Sequence, residues 1–198
     1  MPLPTIVTSR LLPLGALAPV GAPTPTPSPP IGGASVSASA LSFTMHMQEQ
    51  TNWCWSAVSV SVAQFYDPGT AWTSQCDLAG KELGASCCPA GTSPETCNVP
   101  WYLDRALSRV GHYNTFGNGP ATTSQIGTEI DASRPLGVRI AWNTGGGHFI
   151  VLSAYSWTPT SEQVTVEDPI NGPSTLSLAD LTTNYLSAGT WTHSYWTL

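Results

Sequence analysis

The sequence predicts an α+β domain in which helices come first and an antiparallel β-sheet follows. Up to about residue 132, apolar residues recur with the period of helices, whereas beyond Pro135 they alternate with the period of strands. Apolar residues make up 41% of the 198 residues, which suffices for one sizeable core and excludes disorder along the whole length. Helices and strands that are separated along the chain are typical of α+β domains.

Charged residues are scarce, at 9% of the chain, and the net charge is −6. Six Lys and Arg residues are too few to neutralise a run of phosphates, which argues against a nucleic-acid partner. The same scarcity argues against a polybasic membrane-surface contact. No segment is long and apolar enough to predict a membrane span.

The first 42 residues differ from the rest and are predicted to form a disordered N-terminal tail before a domain at residues 43–198. No charged residue lies between Arg10 and Glu49. Within this span, residues 11–22 are apolar but too few to cross a bilayer. An apolar segment of this length after the positive charge of Arg10 is a candidate secretory signal. Residues 24–30 are rich in proline, which is typical of a stiff spacer.

The first predicted helix covers residues 53–66, with Asn52 as its cap and Asp67 beyond its end. Residues 58–62 also alternate like a strand, but a length of about four turns favours a helix. A second helix has Asn98 as its cap and Gly111 as its stop. Its predicted apolar stripe is Leu103, Ala106, Leu107 and Val110.

A third helix is predicted near residues 124–132, with Ile126 and Ile130 facing the core. Beyond Pro135 the predicted strands are residues 136–142, 148–155, 164–168 and 190–198, with a short helix at 178–186.

The five cysteines divide into Cys54 and a cluster of four in a loop rich in Gly, Pro and Ser. Because adjacent cysteines do not bridge each other without strain, two disulfide pairings are open. These are Cys76–Cys87 with Cys88–Cys97, or Cys76–Cys88 with Cys87–Cys97. Disulfides imply an oxidising, extracytoplasmic compartment. A zinc site of four thiolates is the alternative, although paired C-x-x-C spacings are missing.

Cys54 is the candidate nucleophile because it falls in the first turn of the predicted helix. There the helix dipole and the free backbone N–H groups favour the thiolate, which is the attacking form of cysteine. His148 is the candidate base, since the three glycines before it leave room for a substrate. The remaining histidines, His46, His112 and His193, have no such context.

Asp168 is expected beside His148 if the two strands that carry them form a hairpin. A register that pairs Leu152 with Val164 also pairs His148 with Asp168. Directly opposed side chains lie about 4.5–5.5 Å apart, so the carboxylate would orient the imidazole and stabilise its charged form. The Asp-Pro dipeptide is equally typical of a turn, and a slip of one residue would separate the pair.

Gln48 lies six residues before Cys54 and is a candidate donor to an oxyanion. Its side-chain amide and the backbone N–H of Cys54 would together hold the negative charge that develops during attack on a carbonyl. Gln50 is the competing side chain.

These segments resemble those of papain-like cysteine proteases. Residues 48–57 resemble that family's catalytic start, in which a glutamine six residues before the cysteine is the oxyanion donor. Residues 147–152 resemble its histidine strand, and residues 167–169 resemble the acidic third member of its bacterial branches. The resemblance covers roughly residues 43–198, and the sequence is most similar to small bacterial members with a Cys-His-Asp triad.

The resemblance implies a papain-like fold and a secreted cysteine peptidase that forms an acyl-enzyme on Cys54. It assigns proton transfer to His148, orientation of His148 to Asp168, and the oxyanion hole to Gln48 with the N–H of Cys54. It also implies a peptide or protein substrate, a monomer, and no cofactor or metal.

Three departures from the family pattern, one of them a shorter spacing from Cys54 to His148 than in papain, leave other functions open. Asn52 stands where papain-like proteases have a glycine, and the loop from Cys76 to Cys97 is outside the general pattern. One alternative is an acyltransferase or amidase with the same thiol chemistry. Another is a binding module without catalysis, in which the eight tryptophans form a ligand surface.

Overall fold

A computed structural model describes residues 36–88 and 94–198 of the chain. The helices are α1 (Cys54–Tyr66), α2 (Gln75–Leu83), α3 (Leu103–Val110), α4 (Thr123–Asp131) and α5 (Leu178–Thr183), with a 3₁₀ turn at Glu95–Cys97. The strands are β1 (Ser37–Ala40), β2 (Tyr113–Asn118), β3 (Leu136–Trp142), β4 (Gly147–Thr158), β5 (Ser161–Asp168), β6 (Gly172–Ser177) and β7 (Gly189–Thr197). The candidate secretory signal and the proline-rich spacer lie outside the described residues. In the described part of the chain, no helix has the length and apolar character needed to cross a membrane.

The strands of the described residues form one antiparallel sheet, which confirms the α+β class. Six strands follow the order β2-β7-β3-β4-β5-β6, and β1 pairs with β4. Phe149 and Val151 of β4 pack in the core that contains α1 and α3. Ile150 and Leu152 pack in the core that contains residues of α4 and α5. The sheet is therefore covered on both faces, and β4 is a continuous apolar run for that reason.

Helix α1 is buried on every side, which explains why its sequence pattern is ambiguous. All residues from Cys54 to Ala63 are buried. The hydroxyls of Ser59 and Ser61 donate to carbonyls one turn earlier, so these polar side chains are satisfied in the core. The predicted helix is confirmed, but Asn52 is not its cap. The N-cap residue is Trp53, which makes no side-chain capping bond.

Helix α2 lies inside the cysteine-rich segment, where the residue composition predicts only a loop. The Ser74 hydroxyl accepts a hydrogen bond from the N–H of Asp77 at 3.2 Å, and Gly84 ends the helix with φ of 64°. Both residues are ordinary helix-boundary signals. The Gly, Pro and Ser content of the surrounding segment concealed them.

Helices α3 and α4 bury the apolar stripes that their sequences predict. Helix α3 begins at Leu103 and is not capped by Asn98, which bonds to the segment before α1 instead. Gly111 ends α3 with φ of 89°, as predicted. Ile126 and Ile130 of α4 are buried, and a capping box starts that helix.

All four predicted strands form, and the sheet also includes β1, β2 and β6. These three strands contain mostly Gly, Ser, Thr and other polar residues, so they lack the apolar alternation that marks a strand in sequence. Strand β1 falls within residues 1–42, which the sequence analysis assigned to the tail. Its four residues pair with β4 through the backbone and belong to the sheet.

Strands β4 and β5 form the predicted hairpin, but the predicted register is wrong by two residues. Leu152 lies opposite Val166 rather than Val164. Because the displacement is even, every side chain keeps its face of the sheet. His148 and Asp168 are therefore diagonal rather than opposite neighbours, and they still project from the same face.

A β-bulge in β4 produces this arrangement. Tyr155 and Leu152 face the same core although they are three residues apart, a separation that puts side chains of a regular strand on opposite faces. A register shift between Leu152 and Ala154 supplies the extra residue. The bulge thereby places His148 on the same face as Asp168.

The disulfides are Cys76–Cys88 and Cys87–Cys97, one of the two pairings that the sequence left open. The Cα atoms are 5.2 Å and 5.7 Å apart, within the normal range for a bridge. Bridged cysteines offer no thiolates, so the zinc alternative does not describe this cluster. Cys54 is the free cysteine, and it is buried.

We expect loss of the Cys87–Cys97 bridge to lower the free energy of unfolding by about 3 kcal/mol. The bridge joins two buried cysteines across a sequence separation of 10, and the carbonyl of Cys97 accepts a bond from the indole of Trp53. Urea unfolding of Cys87→Ser/Cys97→Ser measures the loss. The matched control is Cys76→Ser/Cys88→Ser, which removes a bridge of similar span. It leaves Cys97, whose carbonyl binds the Trp53 indole, unchanged. Unchanged stability in the first variant would contradict the prediction.

Candidate active site

Cys54 is the first residue of α1, and it lines a cavity of about 440 Å³ together with His148 and Trp142. The residue is 8% exposed. The first N–H groups of a helix have no partner inside the helix, and they give its N-terminus a partial positive charge. The thiol therefore lies where a negative charge is stabilised.

Two tryptophans fix the start of α1 on either side of Cys54. The indole N–H of Trp53 donates to the carbonyl of Cys97 at 2.7 Å, and that of Trp55 donates to the carbonyl of Val99 at 3.0 Å. Trp53 and Trp55 are fully buried. The segment that follows the second disulfide therefore holds the helix end that carries the thiol.

Asn52 and Asn98 add a second connection between the same segments. The backbone N–H of Asn52 donates to the Asn98 side-chain oxygen, and the Asn52 amide donates to the Asn98 carbonyl, both at 2.9 Å. The Asn98 amide in turn donates to the hydroxyl of Thr51. Asn52, which replaces the glycine of the papain-like pattern, thus helps to position the loop before the thiol.

His148 and Asp168 form a buried pair. His148 Nε2 lies 2.9 Å from Asp168 Oδ1, and the two residues are 3% and 0% exposed. Since Nε2 is occupied by the carboxylate, Nδ1 is the ring nitrogen that remains for Cys54. The indole of Trp142 stacks on the imidazole with ring centroids 5.9 Å apart, which shields the pair from solvent.

Asp168 accepts four hydrogen bonds besides the one from His148. Its Oδ1 accepts the backbone N–H of Ile170 at 2.7 Å and that of Asn171 at 3.1 Å. Its Oδ2 accepts the Asn171 amide at 3.0 Å and the Tyr185 hydroxyl at 2.7 Å. Asp168 therefore opens a turn, as the Asp-Pro dipeptide indicates, and also faces the histidine.

The pair has strongly shifted pKa values. Burial by itself would lower the pKa of His148, but its hydrogen bonds to Asp168 and Cys54 outweigh burial and raise the pKa to about 9. Burial would raise the pKa of Asp168, but the bond and charge of His148 hold it well below its usual value. Burial and the Asp168 charge raise the pKa of Tyr185, which remains a neutral donor. At neutral pH the site therefore holds an imidazolium against a carboxylate.

Gln48 lies beside the cavity of Cys54 rather than in it. Its Nε2 donates to the carbonyls of Gln50 and Thr51, both at 2.9 Å, and its own N–H donates to the carbonyl of Pro169. Among the described residues, its buried Oε1 has no hydrogen-bond partner. Both amide hydrogens are thus directed at the loop before α1, and neither at the cavity.

The three other histidines have partners away from Cys54. His46 Nε2 lies 2.9 Å from Gln64 Oε1, and His112 Nδ1 lies 2.7 Å from the carbonyl of Leu198. His193 lines a neighbouring cavity. None of the three lines the cavity of Cys54.

Sequence reasoning missed Tyr185, Asn171 and Trp142. Asn171 follows Asp168 by three residues, a spacing at which an Asx turn was a usable signal. Tyr185 lies between α5 and β7, and Trp142 lies at the end of β3. Only the tertiary structure brings Tyr185 to Asp168 and Trp142 to His148. No local pattern points to either aromatic residue.

Comparison with known proteins gives remote structural matches. No curated protein sequence matches this chain. The peptidase domain of Streptococcus ComA, a bifunctional ABC transporter, matches with 15% identity and a TM-score of 0.47, over 78% of this chain and 98% of that one. Digestive procathepsin L 3 of Tenebrio molitor matches with 13% identity and a TM-score of 0.49, over 81% of this chain and 67% of that one.

A family model gives the more specific result. The model described as papain-like cysteine protease AvrRpt2 matches residues 37–185. The match begins at the first residue of β1, and it includes Gln48, Cys54, His148 and Asp168. It covers most of the chain and agrees with the resemblance of the sequence motifs. The chain therefore belongs to the papain-like cysteine protease AvrRpt2 family.

Proposed function

We propose that this protein hydrolyses peptide bonds through a Cys54 thiolate and an acyl-enzyme intermediate. The observation that carries the proposal is the buried His148–Asp168 pair, which shares a cavity with the free thiol at the start of α1. Membership of a cysteine protease family supports a peptide or protein substrate.

Acylation follows from this arrangement. The Cys54 sulfur attacks the peptide carbonyl carbon, a C–S bond forms, and the carbonyl electrons move to oxygen. When the tetrahedral intermediate collapses, His148 gives its proton to the leaving amine and the C–N bond breaks. Asp168 holds the imidazole in place and stabilises its charged form throughout.

Deacylation reverses these roles. Neutral His148 takes a proton from water, the hydroxide attacks the thioester carbonyl, and the C–S bond breaks. The acid product leaves, and the thiolate and imidazolium are restored.

The oxyanion is assigned to the backbone N–H of Cys54 and the side chain of Gln48. In this assignment the amide of Gln48 moves from its present carbonyl partners and donates to the oxyanion instead. Its Oε1 makes no hydrogen bond in the described residues, and this supports the assignment because the amide oxygen does not resist rotation. A charge-assisted bond to an oxyanion is stronger than a neutral bond to a carbonyl.

We propose an extracytoplasmic location for the mature protein. The chain has two disulfides. Disulfides persist in oxidising compartments and are rare in the cytosol.

Replacement of the nucleophile tests the proposed function. We expect Cys54→Ala to abolish peptide hydrolysis, since no other thiol of the described residues is free. We also expect a thiol-directed epoxide to modify the wild type once, at Cys54, in the absence of reductant. Mass spectrometry of the intact protein and of its peptides measures this. Hydrolysis by Cys54→Ala would disprove the role, and an amide product formed with an added amine would identify acyl transfer instead.

The pH profile tests the ion pair. We expect kcat/KM to fall as the pH rises through about 9, because His148 then loses the proton that acylation needs. Asp168→Asn removes the charge that supports this pKa, so the fall should begin at a lower pH. The control is Asp180→Asn, which changes an exposed carboxylate elsewhere. Identical profiles for wild type and Asp168→Asn would contradict the assignment.

Substitutions of Gln48 and Gln50 test which of the two side chains donates to the oxyanion. We expect Gln48→Ala to lower kcat by about a hundredfold, a typical effect of losing one oxyanion donor. Alkylation of Cys54 by a small epoxide forms no carbonyl oxyanion, so its rate should fall much less. Gln50→Ala is the control. A larger loss of kcat in Gln50→Ala than in Gln48→Ala would reverse the assignment.

A further inference from the structure

A second cavity, of about 860 Å³, adjoins the cavity of Cys54. The two cavities share four lining residues, Pro100, Trp101, Arg139 and Phe149. On the sheet, Arg139 lies directly between Phe149 and His193 of the neighbouring strands. The opposite wall comes from the start of α3 and the residues before it. A peptide bound at Cys54 can therefore extend one side chain into the second cavity.

Arg139 lines both cavities, and its side chain has contacts that position it there. Its Nη1 donates to the Thr192 hydroxyl at 2.9 Å. A β-carbon on Gly147 would lie 2.9 Å from Nη2, so the guanidinium rests against the backbone just before His148. In the described residues, no carboxylate oxygen lies within 4.0 Å of Arg139. A guanidinium has five N–H donors, and most of those on Arg139 remain free for a ligand.

Positive charge is rare in this chain, and the described arginines that lie outside the second cavity have carboxylate partners. Arg109 and Arg134 form ion pairs with Glu82 and Glu129. Arg105, by contrast, lines the second cavity. The cavity therefore contains the two arginines of the described residues that have no carboxylate partner.

The remaining charged groups of the second cavity leave it positive. Arg105 lies over the rings of Trp101 and Tyr102, 5.8 Å and 4.7 Å from their centroids. Asp104 is the acidic lining residue and offsets one of the two cations. Burial lowers the pKa of His193, and the charge of Arg139 lowers it further, so His193 is neutral at neutral pH.

We propose that the second cavity is a substrate subsite that selects an acidic side chain through Arg139. This inference rests on the proposed peptidase function. A carboxylate matches the planar guanidinium in geometry and charge, and the partly buried aromatic walls strengthen their attraction. An apolar side chain would fit the aromatic walls, but it would remove water from a cation that lacks a carboxylate partner, which is unfavourable.

Matched peptides test the subsite. Cleavage of a proteome-derived peptide mixture by the wild type locates the position at which an acidic residue is enriched. Peptide pairs that differ only as Glu or Gln at that position then give kcat/KM ratios. We expect a Glu/Gln ratio of at least about tenfold in the wild type, as for a hydrogen bond to a charged group. The ratio should fall close to one in Arg139→Gln and remain above one in Arg139→Lys.

Two controls separate the subsite from folding and from general electrostatics. Lys81→Gln makes the same change of charge at an exposed position of α2, and we expect it to keep the wild-type ratio. Epoxide labelling of Cys54 in every variant reports an intact site without peptide hydrolysis.

The outcomes distinguish failure of the subsite from failure of the proposed peptidase function. Labelling and cleavage with no preference for Glu, or a preference that Arg139→Gln keeps, overturns the subsite and leaves the peptidase function intact. A preference for an apolar side chain has the same consequence. Failure of Cys54 to label in folded wild type overturns the peptidase function, and the subsite with it.

Discussion

Asp168 carries a fully buried carboxylate, and the hydrogen-bond donors that stabilise its charge also fix the surroundings of His148. The carboxylate accepts five hydrogen bonds, from the imidazole, two backbone N–H groups, one amide and one phenol. An unpaired charge at this depth would be very costly, so these partners have to be present together. The end of β5, the turn after it and Tyr185 are thereby held in one arrangement around the histidine.

The thiol is positioned by a separate set of contacts. The start of α1 is held by the carbonyls of Cys97 and Val99 and by Asn98. The Cys87–Cys97 bridge lies directly before this segment. The disulfide-bonded region, although outside the general papain-like pattern, therefore helps to hold Cys54 in position. The helical part supplies Cys54, the sheet supplies His148 and Asp168, and the cavity lies where the two parts meet.

The register between β4 and β5 places His148 and Asp168 on the same face of the sheet and so connects the fold to the site. Residues 148–153 are all buried, because both faces of the sheet are covered. Such a strand has no polar alternation from which a register or a bulge can be read. The hairpin turn alone would place His148 on the wrong face, and the bulge at Leu152 and Ala154 corrects this. The sequence pairing of His148 with Asp168 was right about the face and wrong about the opposite neighbour.

The α+β class, the apolar faces of α3 and α4 and the four apolar strands can be predicted from the sequence alone, which also singles out Gln48, Cys54, His148 and Asp168 as candidate site residues. Each depends on local periodicity or on residue type, which a chain carries in its order of residues. The disulfide pairing, the polar strands, the bulge and the placement of Tyr185, Trp142 and Arg139 are visible only in the folded chain. These features depend on which segments pack against each other, and no local pattern encodes which backbone or side chain will be opposite.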